Sequence, residues 1–223
     1  MPRPRTHDET LRLRLLDEGG RLLAAEGPAA LTTRRLAERA GTSSSAVYSL
    51  FGDKPGLLRA MFVEGFRRLA RRFAELPQTD EPGADLLALG RAFRANALAN
   101  PHLYDLMFRS PFPGLDLPVE DCEEALATFQ VLVSAVRRCL EAGVIVRADP
   151  EDVALMLFGL VDGLAGLELK GWLGEPETAG RRWELALSAA LRGLQRPGGE
   201  RTAPAAPEGR TGVDEPLVAS RGS

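Results

Sequence analysis

The chain is short of the residues that most often carry covalent or metal chemistry. Its 223 residues include two cysteines, Cys122 and Cys139, and two histidines, His7 and His102. Cysteines so few and so far apart build no disulfide framework and fit a reducing compartment. Two histidines leave little for zinc or for histidine-centred catalysis, and no metal or cofactor is expected. No stretch sustains a two-residue alternation, and no Asn-Gly or Asp-Gly turn is flanked by strand patterns, so a β fold is not expected. Long apolar runs are also missing. The longest, Val153 to Leu167, has 15 residues and carries Asp162, too short to span a bilayer. The opening stretch, MPRPRTHDET, lacks an apolar core, so no secretory leader is expected. A cytoplasmic protein without a membrane partner is expected. There is no Gly-x-Ser-x-Gly elbow, no phosphate-cradling loop and no dinucleotide fingerprint. An all-α enzyme and a helical adaptor without DNA binding therefore stand only as alternatives.

Charge of both signs is present, and its distribution is uneven. Residues 1–72 hold 14 Lys and Arg against 8 Asp and Glu, a surplus of six positive charges. Residues 73–223 hold 14 against 23, a surplus of nine negative charges. A basic front on an acidic back suggests that the front meets a polyanion.

Almost every segment reads helical. Leu11, Leu15, Gly19, Leu22 and Leu23 keep a helical spacing until Gly27-Pro28. Thr32 can cap a short helix running to Ala40, which Gly41 stops. A third helix is predicted over Ser43 to Phe51. Asp53 can then cap a long helix to about Glu75, whose apolar stripe includes Leu57, Leu58, Met61, Phe62, Gly65, Phe66, Leu69 and Phe73. Its arginines Arg67, Arg68, Arg71 and Arg72 read as a solvated face. Further helices are predicted over about 84–100, 101–109, 119–143, 151–173 and 177–194, with prolines marking the joints. The last residues, 194–223, contain four prolines and five glycines and should form a disordered tail. The expected fold is all-α: a flexible basic arm (1–7), a three-helix helix-turn-helix region (8–54) and a second helical region (55–193, with 55–76 as the connecting helix).

The run "GTSSSAVYSLF", Gly41 to Phe51, carries the functional argument. If Ser43 caps the third helix, Ser44 and Ser45 lie in its first turn, and Tyr48 and Ser49 fall on the same side four residues on. Val47, Leu50 and Phe51 fall on the opposite side and can pack inward. Short hydroxyl side chains let a helix backbone approach base edges in the major groove, and a helix N-terminus favours phosphate. Arg34 or Arg35 could reach guanine or phosphate, Lys54 could clamp a phosphate, and Arg3 and Arg5 could enter the minor groove.

The stretch "LTTRRLAERAGTSSSAVYSLFGDKPGLL", Leu31 to Leu58, resembles the DNA-binding region of the TetR family of repressors. The likeness lies in the Thr-led second helix, the Leu-Ala pair, Ala-Gly in the turn, Val-Tyr-x-x-Phe-x-x-Lys and the Leu-Leu that follows. It reaches back to about Asp8. The resemblance implies a homodimer that binds a double-stranded operator and answers to a small-molecule effector, here unknown. It implies DNA contacts from Thr33, Arg34, Ser43, Ser44, Ser45, Tyr48, Ser49 and Lys54. Ser44 stands where the family often has Pro.

Two later stretches, "ANPHLYDLMF" (Asn100 to Phe108 with its preceding Ala) and "LFGLVDGLAGLELKG" (Leu157 to Gly171), resemble the TetR ligand domain marked by a Trp…His-Gly signature. Phe158 and Asp162 stand at the Trp and His positions, and Gly163 is kept. Gly159, Gly163 and Gly166 share one helix face and suggest close helix approach at a dimer interface, which Trp172 and Trp183 would suit. The family pairs its last two helices, here 151–173 and 177–194. A pocket is expected among Phe66, Phe93, Tyr104, Met107, Phe108, Phe129, Val133 and Met156, with Asp162 or His102 as its polar end.

Overall fold

The computed structural model describes residues 5–108, 118–146 and 148–195. Among these, every regular element is helical and none is a strand. Helix α1 spans Arg5–Glu26, and a single 3-10 turn, Pro28–Ala30, leads into α2, Thr33–Arg39. Then follow α3, Ser44–Phe51, and α4, Lys54–Ala74. The remaining helices are α5 (Pro82–Ala99), α6 (Pro101–Phe108), α7 (Val119–Glu141), α8 (Pro150–Leu169) and α9 (Pro176–Leu194).

The starts of these helices follow from local chemistry. The Thr32 hydroxyl accepts the Arg35 backbone N–H (3.3 Å), Ser43 accepts that of Ala46 (3.1 Å), and Asp53 accepts that of Gly56 (2.8 Å). Each satisfies an amide that the helix itself leaves open. Proline sits in the first turn of α4, α5, α8 and α9, where its missing N–H costs nothing.

Three expectations are corrected. α1 begins at Arg5, so residues 5–7 continue the helix rather than the arm, and Arg3 lies outside the described residues. α8 ends at Leu169 rather than near 173, and Gly171 takes a left-handed φ of 76° just beyond it. The turn Pro28–Ala30 stands where no element is expected from the sequence. The expected tail lies, past Gln195, outside the described residues.

One buried cluster runs from Leu15 and Leu16 in α1 through Leu36, Val47, Leu57 and Met61 to Leu103, Trp183 and Leu187. A second cluster, with Val133, Val136, Cys139, Ile145 and Val153, joins α5, α7 and α8. α4 threads between the two halves. At Gly65 a Cβ would stand 2.5 Å from the Met107 sulfur, so any larger residue at the α4–α6 crossing would have to displace the Met107 side chain. α4, α5, α7 and α8 pack on one another and leave a cavity between them.

Trp183 is 1 % exposed and donates its indole N–H to Glu168 (2.6 Å), so it belongs to the interior rather than to an interface. A buried indole needs an acceptor, and Glu168, itself forked by Arg94 (2.6 and 2.8 Å), provides it. Trp172 lies on the surface.

Candidate nucleic-acid interface and apolar cavity

α2 and α3 are joined by Ala40 to Ser43. Gly41 adopts φ 62°, a conformation a side chain resists, and the Thr42 amide closes on the Ala37 carbonyl (2.9 Å). Leu36 and Ala37 of α2 and Val47 of α3 are buried against the same core, which fixes how α3 faces outward. Its exposed side holds Ser43, Ser44, Ser45, Tyr48 and Ser49, with Tyr48 68 % exposed. The hydroxyls predicted to form a ridge do form one. Ser43 uses its oxygen as a cap acceptor, which leaves its O–H to donate outward.

The cations around this ridge have partners within the chain. Arg34, its side chain 85 % exposed, bonds Glu38 (3.0 Å). An exposed pair of this kind is worth only about 0–1 kcal/mol, so a phosphate can displace it. Arg35 forks Glu26 (2.8 and 3.0 Å). Lys54 is half-buried and donates to the Pro28 carbonyl, which holds the loop before α2. Thr33 is half-buried at the head of α2.

Between α1 and the helices behind it runs a polar seam. Arg68 contacts Asp17 (2.7 Å), Asn100 (2.8 Å) and Glu64 (2.9 Å), and Arg71 also bonds Glu64 (3.0 Å). Arg68 is therefore 17 % exposed and not part of a solvated face, because α1 and the joint between α5 and α6 bring it partners that no local pattern shows. Arg67 pairs with Glu124 of α7 (2.9 Å). Burial works to lower the Arg68 pKa, but its contacts with Glu64 and Asp17 outweigh that and raise it. His102 lies 3.8 Å from Asp17, and its ring packs where a Gly20 side chain would go. Burial pushes the His102 imidazole below its ordinary value, against the pull of Asp17, and Arg68 and Arg21 add to the drop.

The cavity between α4, α5, α7 and α8 measures about 340 Å³. Phe66, Phe93, Met107, Phe108 and Phe129 line it, as predicted. Five predicted residues do not. Val133 is wholly buried in the second core cluster. Met156 points away from the cavity, 48 % exposed on the outer side of α8. Tyr104 packs beside Phe93 and Phe108 but turns its hydroxyl to Asp162, donating to both its backbone and its side-chain oxygen. Asp162 is thereby fixed outside the cavity, and His102 belongs to the seam, so neither forms a polar end. Phe62, Phe73 and Phe158 line the cavity in addition to the residues expected there. A signal for two of them is present in the sequence: Phe62, Phe66, Leu69 and Phe73 follow one helical stripe.

Residues 15–61 match the family described as "Bacterial regulatory proteins, tetR family", and residues 86–190 match "Tetracyclin repressor-like, C-terminal domain". The chain belongs to the TetR family. The exposed helix α3 is the second helix of the helix-turn-helix in its front region. Among TetR-family and related proteins, it is similar to the HTH-type transcriptional regulator Rv1816 of Mycobacterium tuberculosis, 32% identical over 113 residues. That alignment takes in 49% of this chain and 48% of the other, so the chain spans about half the length of that curated relative. A protein of unknown function from Rhodococcus sp. RHA1 has a similar structure, at 30% identity and a TM-score of 0.69, covering 83% of this chain and 96% of that one. The TetR-family regulator PfmR from Thermus thermophilus shares the fold, with a TM-score of 0.68 at 20% identity over 82% of this chain and 100% of the other. No helix among the described residues is long and apolar enough to cross a membrane.

Proposed function

We propose that this regulator is a homodimeric repressor that holds a pseudo-palindromic operator and lets it go when a small molecule enters the cavity. The observation that carries this reading is the outward ridge of Ser44, Ser45, Tyr48 and Ser49 on a capped helix. Its side chains are short enough for the α3 backbone to approach base edges, and Tyr48 extends beyond them. Thr33, Arg34, Ser43 and Lys54 flank the ridge and would contact phosphate. Arg34 and Lys54 would exchange a partner within the chain for the duplex, whereas Ser43 can donate without giving up its cap. Residues 8–54 would serve as the DNA-binding region, and 55–193 as the effector and dimer region, acting in the cytoplasm.

The dimer would form through α8 and α9. Leu155, Met156 and Leu167 lie exposed on α8, and Leu185 on α9. Gly159 and Gly163 have nothing within 4 Å of where a Cβ would stand, which leaves room for a second helix to approach. The second region would be of the Trp…His-Gly type with Phe158 and Asp162 substituted; Asp162 would there orient Tyr104 rather than touch ligand.

The test is binding to a duplex taken from upstream of the chain's own gene, followed by fluorescence anisotropy. Two protomers per duplex are expected, on half-sites about 34–36 Å apart. Affinity should fall steeply with salt. One protomer per site, or half-sites at a spacing off the helical repeat, would count against the dimer.

A further inference from the structure

Seven of the chain's nine phenylalanines line one cavity. Among the described residues, none that lines it carries a charge, and its polar groups come down to Thr128 and Cys122. The buried side-chain atoms of the described residues that lack a well-aligned hydrogen bond lie elsewhere, at His102 and at the Asp17 oxygen that is ion-paired with Arg68 in the seam. Among the described residues that line the cavity, no buried side-chain oxygen or nitrogen lacks a hydrogen bond. The wall is aromatic in a particular way. Phe66 meets Phe108 at 5.4 Å and 74°, and Phe93 meets Phe158 at 6.3 Å and 86°. Rings set edge to face offer both positive edges and negative faces to a guest, which suits another aromatic ring. Met107 adds a polarisable sulfur.

From this we infer that the cavity takes an uncharged aromatic molecule of about two to three rings, carrying at most one hydrogen-bond donor and no ionised group. This rests on the reading of the cavity as the effector site and gives that site its chemistry. The size follows from the volume: an apolar cavity of about 150 Å³ holds one benzene, and this one is about 340 Å³. The single donor follows from Thr128. Its hydroxyl gives its proton to the Glu124 backbone carbonyl (2.7 Å), so toward the cavity it offers only lone pairs. It can accept one N–H or O–H and can donate to nothing. A carboxylate, sulfonate or ammonium group would lose its hydration and find no partner of opposite charge among the described residues that line the cavity.

A matched pair of fluorescent probes tests the class. N-phenyl-1-naphthylamine is an uncharged two-unit aromatic with one N–H, and 1-anilinonaphthalene-8-sulfonate is the same skeleton with a sulfonate. The neutral probe should bind one per chain with blue-shifted emission, and the sulfonate at least about 100-fold more weakly. Ala125→Trp, from a half-buried position on the cavity wall, should fill the space and abolish binding of the neutral probe. Thr128→Val should weaken that probe by about 3- to 10-fold and leave phenanthrene, which has no donor, unaffected; it stands as the second variant should Ala125→Trp not fold. Equal binding of the two probes, no binding of the neutral one, or neutral binding untouched by both variants overturns the assignment. Operator release is read separately. Neutral-probe binding lost in Ala125→Trp, with operator affinity unchanged by the probe, keeps the ligand class and overturns the effector reading instead.

Discussion

Helices α3 and α8 each present a face that no other part of the described chain covers, and the two faces differ in kind. On α3 the exposed side is alcohol and phenol, groups that water satisfies well. On α8 the exposed side is Leu155, Met156, Gly159 and Gly163, with Leu155 61 % exposed, and water gains nothing there. A face at ease in water can wait for a partner that is itself hydrated and charged, such as DNA. A face of exposed leucine and methionine favours an apolar partner, and a copy of the same helix is the one always present. The difference predicts that damage to the two faces will separate.

The largest effect is expected on α8. Leu155→Arg combined with Met156→Arg should weaken dimerisation by about 100-fold or more, since like charges would face each other across a two-fold axis. Sedimentation should then show monomer, and operator binding should fall with it. Gly163→Leu tests the same face more gently. The single chain has open space there, so a shift to monomer reports a partner rather than a clash within the chain. Next comes Tyr48→Ala, which should weaken operator binding by about 10-fold with the dimer intact. A loss of dimer in that variant would break the separation between the faces. Smaller still is Ser43→Ala. Loss of the cap should lower stability by about 1 kcal/mol, or about 2–4 °C in Tm for a chain of this size, read by thermal melting.

The joint between the two regions has a pH dependence of its own. His102 is held neutral in the folded chain, its pKa below the ordinary 6.5. As pH falls through 6.5 the unfolded chain takes up the proton first, so His102 favours folding above that pH and loses that contribution as pH drops toward its folded value. Asp17 opposes the effect, and Arg68 and Arg21 reinforce it. The Tm should fall between pH 7.5 and 5.5, and His102→Asn should flatten that slope. An unchanged slope would remove His102 from the account.

Much of this was legible in the residues themselves. Thr32, Ser43 and Asp53 each cap the helix they are expected to cap, because a cap needs only its own next three residues. The alcohol ridge was legible for the same reason: four-residue spacing on one helix decides which side chains share a side. What failed needed knowledge of neighbours. Periodicity gives α8 two faces but does not say which one meets the cavity, so Met156 is expected inside and lies exposed. Trp183 reads as an interface residue until Glu168 is found beside its N–H. Arg68 reads as a surface charge until α1 and the joint between α5 and α6 bring Asp17 and Asn100 to it. Tyr104 and Asp162 both read as ligand contacts, and they bond each other.

The buried cluster that begins at Leu15 and ends at Leu187 has a consequence for how the protein comes apart. The three helices at the front share their interior with α4, α6 and α9, so they are a unit of recognition and not a unit of folding. Cut after Phe51, they would lose Leu57, Leu58 and Met61 from beneath them and should not hold their shape. In urea the reading head and the body behind it should therefore melt in a single cooperative step.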